Sequence, residues 1–137
     1  MYTNEYNSVL VGVAFSPNLR ANVFEALRMS ALFDASLVMV HVGEKTRSKG
    51  ATLQKIIAAY PGPTPKYTVF WKAGHPVEVL LRACEDEKAD ILILGALKRE
   101  GLLKYYIGSV ARKLTRKCQC DVLLLIKPSV ERMPCSY

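Results

Sequence analysis

The sequence has no apolar run long enough to span a membrane; its uninterrupted runs, such as Ile91-Leu92-Ile93-Leu94, are strand-sized. Its first residues, MYTNEYNS, carry neither a basic n-region nor an apolar h-region, so the expected location is cytoplasmic. Histidine is scarce, with His41 and His75 alone, and neither has a nucleophile or carboxylate partner in sequence. Both therefore read as packing or capping residues rather than catalytic ones. The four cysteines include no C-x-x-C pair and no companion histidine spacing, so no metal site is expected. Cys84 falls in a predicted helix, Cys118 and Cys120 flank a helix-to-strand turn, and Cys135 lies in the tail. The pair Cys118-x-Cys120 offers two thiols to a metal or to oxidation, but buried or idle thiols are the ordinary outcome. Phosphate fingerprints are missing too. There is no G-x-x-x-x-G-K-[ST], no G-x-G-x-x-G after the first strand, and no acidic residue at Ala14 of the kind a phospho-receiver needs.

What is present is one domain's worth of chain. The 137 residues are half apolar and 23% charged, which suits a globular core. The net charge of +7 favours anionic partners without choosing among nucleotides, nucleic acid and acidic proteins.

Strands and helices alternate along it. Ser8 to Ala14 is a continuous apolar run, a strand buried on both faces. Ser16-Pro17 then offers an N-cap and a first helical residue, and the helix runs through Val23, Ala26 and Leu27 to Asp34-Ala35. Ser36 to Val42 is a second buried strand, and Gly43 to Gly50 a polar connection. Leu53, Ile56, Ile57 and Tyr60 mark a second helix, stopped by Pro61-Gly62-Pro63-Thr64-Pro65. Tyr67 to Lys72 alternates in polarity, which predicts an edge strand with Tyr67, Val69 and Trp71 on one face. Gly74-His75-Pro76 opens a third helix with Val77, Leu80, Leu81 and Cys84 as its stripe. Asp90 to Leu94 is a fourth strand, Gly108-Ser109 starts a fourth helix with Val110 and Leu114 inward, and Asp121 to Ile126 is the last strand.

This order implies an open parallel sheet with helices on both faces and right-handed crossovers. Residues 1–127 form the domain and residues 128–137 a tail. In such sheets ligands bind beyond the carboxyl ends of the strands, where the strand order reverses. The first and fourth strands flank that point, and they lead into Ala14-Phe15-Ser16 and Gly95.

The loop GALKREGLLKYYIGS, residues 95–109, is therefore placed where a ligand loop belongs. A phosphate there would use the amides and positive dipole end at Gly108-Ser109, with Lys98, Arg99 and Lys104 to neutralise charge. Gly95 would permit a sharp exit from the strand. The plain alternative is a turn glycine, a capping serine and solvated lysines. Tyr105-Tyr106 reads as a lid over a ligand or as packing. Arg112, Lys113, Arg116 and Lys117 make one helix face basic, but no interleaved aromatics or reader motif accompany them, so nucleic acid is not the expected partner. The apolar last strand, Val122 to Ile126, lies at a sheet edge that invites pairing with a second copy.

From residue 7 to 127 the chain resembles the universal stress protein family. The carriers are Val11-Gly12-Val13-Ala14-Phe15-Ser16, Val40-His41-Val42, Gly74-His75-Pro76-Val77-Glu78, Ala89 to Gly95, Gly108-Ser109-Val110 and Cys120-Asp121-Val122-Leu123-Leu124-Leu125. The resemblance implies the adenine nucleotide alpha hydrolase-like fold, five parallel strands in order 3-2-1-4-5, dimeric through the last strand. It also implies, for some members, ATP or AMP bound through G-x2-G-x9-G-[S/T] and an acidic residue after the first strand. In this chain Gly95 and Gly108-Ser109 match the motif, while Lys98 replaces its middle glycine and Ala14 its acidic residue. The binding set so implied is Val13, Ala14, Phe15, Val42, Gly95, Lys98, Gly108, Ser109 and Val110. Val42 and the apolar residues would flank a base, and Lys98 with Gly108 to Val110 would meet phosphate. The expectation is a non-catalytic domain with weak or absent ATP binding. Its rival is a dimeric interaction module with an empty crevice.

Overall fold

A computed structural model of the chain describes residues 6–98, 105–106 and 108–126, and of residues 97, 98, 105 and 106 the backbone alone. The strands are β1 (Ser8–Gly12), β2 (Ser36–Val42), β3 (Tyr67–Lys72), β4 (Ile91–Gly95), β5 (Leu97–Lys98), β6 (Tyr105–Tyr106) and β7 (Asp121–Leu125). The helices are α1 (Leu19–Phe33), α2 (Arg47–Ala59), α3 (Pro76–Asp86) and α4 (Ser109–Lys117). The main sheet has the order β3-β2-β1-β4-β7 and all its pairs are parallel. Counting only its members, this is the expected 3-2-1-4-5. The expected tail at 128–137 lies outside the described residues.

Strand alternation sorts the core into two layers. Val9, Val11, Leu37, Met39, Ile91 and Ile93 point to one face, where Val23, Leu27, Leu53 and Ile57 of α1 and α2 cover them. Leu10, Val38, Val40, Leu92 and Leu94 point to the other, under Val77, Leu80, Ala111 and Leu114 of α3 and α4. Val9, Leu10 and Val11 are all fully buried, which explains why β1 reads as a continuous apolar run. Each such side chain contributes about 1.5–3 kcal/mol. β3, at the edge, is only partly buried, as its alternation implies. At the amino edge of the sheet, Asp90 accepts hydrogen bonds from the backbone N–H of Asn7 and Ser8 at 2.7 and 2.9 Å, tying the starts of β1 and β4 together.

Beyond shifts of one or two residues at strand ends, such as β1 closing at Gly12 rather than Ala14, three places differ from the sequence reading. α1 begins at Leu19 with Asn18 at the N-cap position, not at Ser16-Pro17. Ser16 instead closes a turn, its carbonyl accepting from Leu19 N–H at 3.0 Å and its hydroxyl from Asn18 N–H at 3.3 Å. Those bonds consume the capping groups one turn early. α2 begins at Arg47, inside the expected connection, because Thr46 caps it by accepting from Lys49 N–H at 3.1 Å. The third is inside the ligand loop: β5 and β6 pair antiparallel, Leu97 with Tyr106 and Lys98 with Tyr105, so both ends of that loop form a short ribbon.

Candidate functional site

β1 and β4 are hydrogen-bonded neighbours, with Val9, Leu10 and Val11 in register with Ile91, Leu92 and Ile93. The chain leaves their carboxyl ends in opposite directions, because β1 connects toward β2 and β4 toward β7. A crevice of about 420 Å³ opens there, within the range of about 300–1,000 Å³ usual for small-molecule sites. Its floor is Gly12, Leu94 and Leu80. Val13, Ala14 and Phe15 form the wall that continues β1, and Val40, His41 and Val42 the wall that ends β2. Gly95 and Ala96 close the side toward β4, and Gly108, Ser109, Val110 and Ala111 bring in the leading end of α4.

Eight of the nine residues expected at the site therefore line one crevice: Val13, Ala14, Phe15, Val42, Gly95, Gly108, Ser109 and Val110. For Lys98 the structure gives a backbone position in β5, and its side chain lies outside the described residues. The side chains of Tyr105 and Tyr106 do too, and so do Arg99 and Lys104.

The head of α4 is open to the crevice. Gly108 occupies its N-cap position with extended backbone (φ −65°, ψ 162°), and no side chain among the described residues caps the helix. An uncapped first turn leaves backbone N–H groups without intrahelical partners, at the positive end of the dipole. Gly95 matters for space rather than for an unusual turn. A Cβ there would meet Asn22 Nδ2 at 2.3 Å, and among the described glycines the positive φ values belong to Gly43 and Gly74. The sharp-exit role expected of Gly95 is thus replaced by close approach of an asparagine.

Asn22 and His41 are crevice residues that sequence reasoning did not select. Asn22 is buried on α1 and lines the cavity. Its signal was its place one helical turn before Ala26 and two before Ser30, on the buried stripe, where a polar residue needs a reason. His41 is packed, as expected, but packed as a wall of the site. Its Nδ1 lies 2.7 Å from the carbonyl oxygen of Val13, so Nδ1–H donates and Nε2 keeps its lone pair. Lys49 Nζ donates toward that Nε2 at 3.4 Å. His41, Phe15 and Trp71 form an aromatic group: Phe15 and Trp71 stack at 6.1 Å, and His41 meets both edge-on at 4.9 and 5.5 Å. Lys49 and Lys45 lie 5.6 and 5.9 Å from the Phe15 and Trp71 ring centroids. Of this group Phe15 and His41 line the cavity, and no carboxylate does so among the described residues.

His75 stands at the N-cap of α3, but its side chain makes no capping bond. The turn before it needs Gly74, whose φ of +133° and Cβ position 2.9 Å from Val79 Cγ2 exclude a side chain. A second group of chemically active side chains sits at the other end of the sheet. The sulfurs of Cys84, Cys118 and Cys120 lie within 4.8 Å of one another. Burial is the main cause that pushes the Cys120 thiol up to about 11, with its hydrogen bond to Cys118 next, and burial pushes Cys84 higher still.

Comparison with known proteins agrees with this architecture. The family model described as the universal stress protein family matches residues 51–125. A universal stress protein of Methanocaldococcus jannaschii is 33% identical over 58 residues, covering 42% of this chain and 34% of that one. One from Thermus aquaticus is 27% identical over 82 residues, covering 60% of this chain and 54% of that one. Among solved structures, a universal stress protein in complex with cAMP superposes with a TM-score of 0.67 at 23% identity, over 89% of this chain and 98% of that one. One from Archaeoglobus fulgidus in complex with dAMP gives a TM-score of 0.63 at 17% identity, over 90% and 100% of the two chains. At those identities the superpositions speak for the fold, and the match to the family model, across more than half of the sequence, speaks for descent: the chain belongs to the universal stress protein family.

Proposed function

We propose that this chain is a non-catalytic ligand-binding domain whose crevice takes an adenine nucleotide or another small anion, with weak or absent binding of ATP. The observation that carries this reading is the uncapped head of α4 opening into a crevice of nucleotide size between β1 and β4. A phosphate would accept hydrogen bonds from the amides of Ser109 to Ala111. A base would lie against Val13, Phe15 and Val42. The cAMP and dAMP held by the two structural relatives support this ligand class. A ribose would lack a charged acceptor, because Ala14 stands where a carboxylate would be needed. Such a contact is worth about 1.5–3 kcal/mol, so its absence weakens binding roughly tenfold to a hundredfold. No carboxylate lines the described crevice to act as a general base or hold a metal ion, which supports binding without turnover. A cytoplasmic location and a role in stress response belong to the same reading; no helix among the described residues is long and apolar enough to cross a membrane.

The test is to denature the purified protein and identify the small molecules released. Recovered adenine nucleotide supports the reading. None recovered, with no thermal shift on adding AMP, ATP or a cyclic dinucleotide, overturns it.

A second reading has its own observation. β7 is the free edge of the sheet, Val122 to Leu125 are only half-buried, and Ile126 is 40% exposed. Pairing of that edge with a second copy would make a dimeric interaction module, with or without ligand. Sedimentation equilibrium at micromolar concentration should give twice the chain mass, and a monomer there would reject it.

A further inference from the structure

Away from the crevice, α3, α4 and β7 bring three thiols together. Cys84 lies in the last turn of α3, Cys118 is the C-cap of α4, and Cys120 immediately precedes β7. All three sulfurs lie within 4.8 Å of one another, and the Cys118 and Cys120 sulfurs are 3.4 Å apart. Three sulfurs around one ion at about 2.3 Å stand roughly 3.8–4.0 Å apart. The free thiols are therefore close to the spacing that ligation requires.

The placement is built from the fold. Cys84 is held by the core layer that α3 and α4 share, with Cys118 and Cys120 packed against that layer. The carbonyl of Cys84 accepts from Ala89 N–H at 2.9 Å, and the amide of Cys118 donates to the Leu114 carbonyl at 2.9 Å. The backbone on both sides is thus fixed by the ends of the two helices. Cys84 is buried, whereas Cys118 and Cys120 are half-buried, so the group has a protein side and a solvent side. Because β4 and β7 start here, the group sits at the amino edge of the sheet, opposite the crevice.

We propose that Cys84, Cys118 and Cys120 form a three-thiolate site for a soft, thiophilic metal ion of the Cu(I) class. Thiolates select Cu(I) and zinc over harder ions. A structural zinc site takes four protein ligands, and no histidine or carboxylate joins the three sulfurs among the described residues. Three soft donors, with no fourth among the described residues, suit a trigonal monovalent ion instead. Binding exchanges the thiol protons for the metal and needs no oxidant.

The test is titration of the reduced full-length protein with Cu(I) under anaerobic conditions, against bicinchoninic acid as competing chelator. One copper retained per chain, with an ultraviolet thiolate-to-copper band and three sulfur neighbours by X-ray absorption, is the expected result. Cys118→Ser and Cys120→Ser should each weaken retention more than about a hundredfold, beyond what losing an outer-sphere partner costs. Both positions are half-buried, so circular dichroism should find these variants folded, and Cys84→Ser is read only if it passes the same check. Copper lost to the chelator, retention of Zn(II) but not Cu(I), or binding indifferent to Cys118→Ser and Cys120→Ser would each overturn the proposal.

Discussion

Under the proposed function, Ala14 sets how tightly the crevice would hold a nucleoside. It is exposed on the wall that continues β1, and its methyl group accepts nothing. Replacing it by Asp, with Lys98→Gly to restore the glycine spacing, should raise ATP affinity roughly tenfold to a hundredfold, measured by isothermal titration. Unchanged affinity would mean that a ribose does not lie at Ala14. Gly95 makes the complementary case for space. Its Cβ would stand 2.3 Å from Asn22 Nδ2, so Gly95→Ala should cost about 1–3 kcal/mol in urea unfolding. In the double variant Gly95→Ala, Asn22→Ala most of that cost should return, because the clash has lost one partner. Both residues illustrate what can be read from a chain alone. Gly95 and Ala14 were legible, since each stands where an apolar run reaches a strand's carboxyl edge. Asn22 was not, because a polar residue on a helix stripe becomes a site residue only when the opposite wall is known.

At the scale of elements, α4 carries the account. Its basic residues were legible as an exposed face, and Arg112, Lys113, Arg116 and Lys117 are exposed. Its open head was legible in Gly108-Ser109, though the N-cap is Gly108 itself. Ser109→Pro isolates the backbone contribution. Proline suits a first helical position, and the extended Gly108 suits the residue before proline. The melting temperature should therefore hold, while AMP affinity falls about tenfold to a hundredfold through loss of one charge-assisted amide. Ser109→Ala, which keeps the amide, controls for the hydroxyl and should lose less. Equal losses in the two variants would assign the contact to the hydroxyl instead. The start of α1 and the β5–β6 ribbon were not legible. The first turned on a competition between two overlapping turns at Ser16 to Asn18, and the second on pairing between residues seven and nine apart with no alternation to announce it.

The whole molecule has two chemically distinct ends. A parallel sheet covered on both faces was legible because continuous apolar runs alternate with helices, whereas the strand order came from the resemblance to the universal stress protein family. That order puts the crevice at the carboxyl edge of β1 and β4, and the three cysteines at the amino edge of β4 and β7. The thiol group was illegible because Cys84 lies 34 residues before Cys118, and only the packing of α3 on α4 joins them. The net charge of +7 raises the local concentration of any anion and should make its binding weaken with added salt. The most direct measurement is a titration of the nitrogen-15-labelled protein with AMP, followed through its amide resonances. The amides of Ser109, Val110 and Ala111 should move first and furthest, together with those of Ala14 and Gly95, and should saturate along one curve. Those amides standing still at millimolar AMP, or the largest movements falling on β3 or the amino edge of the sheet, would contradict the account.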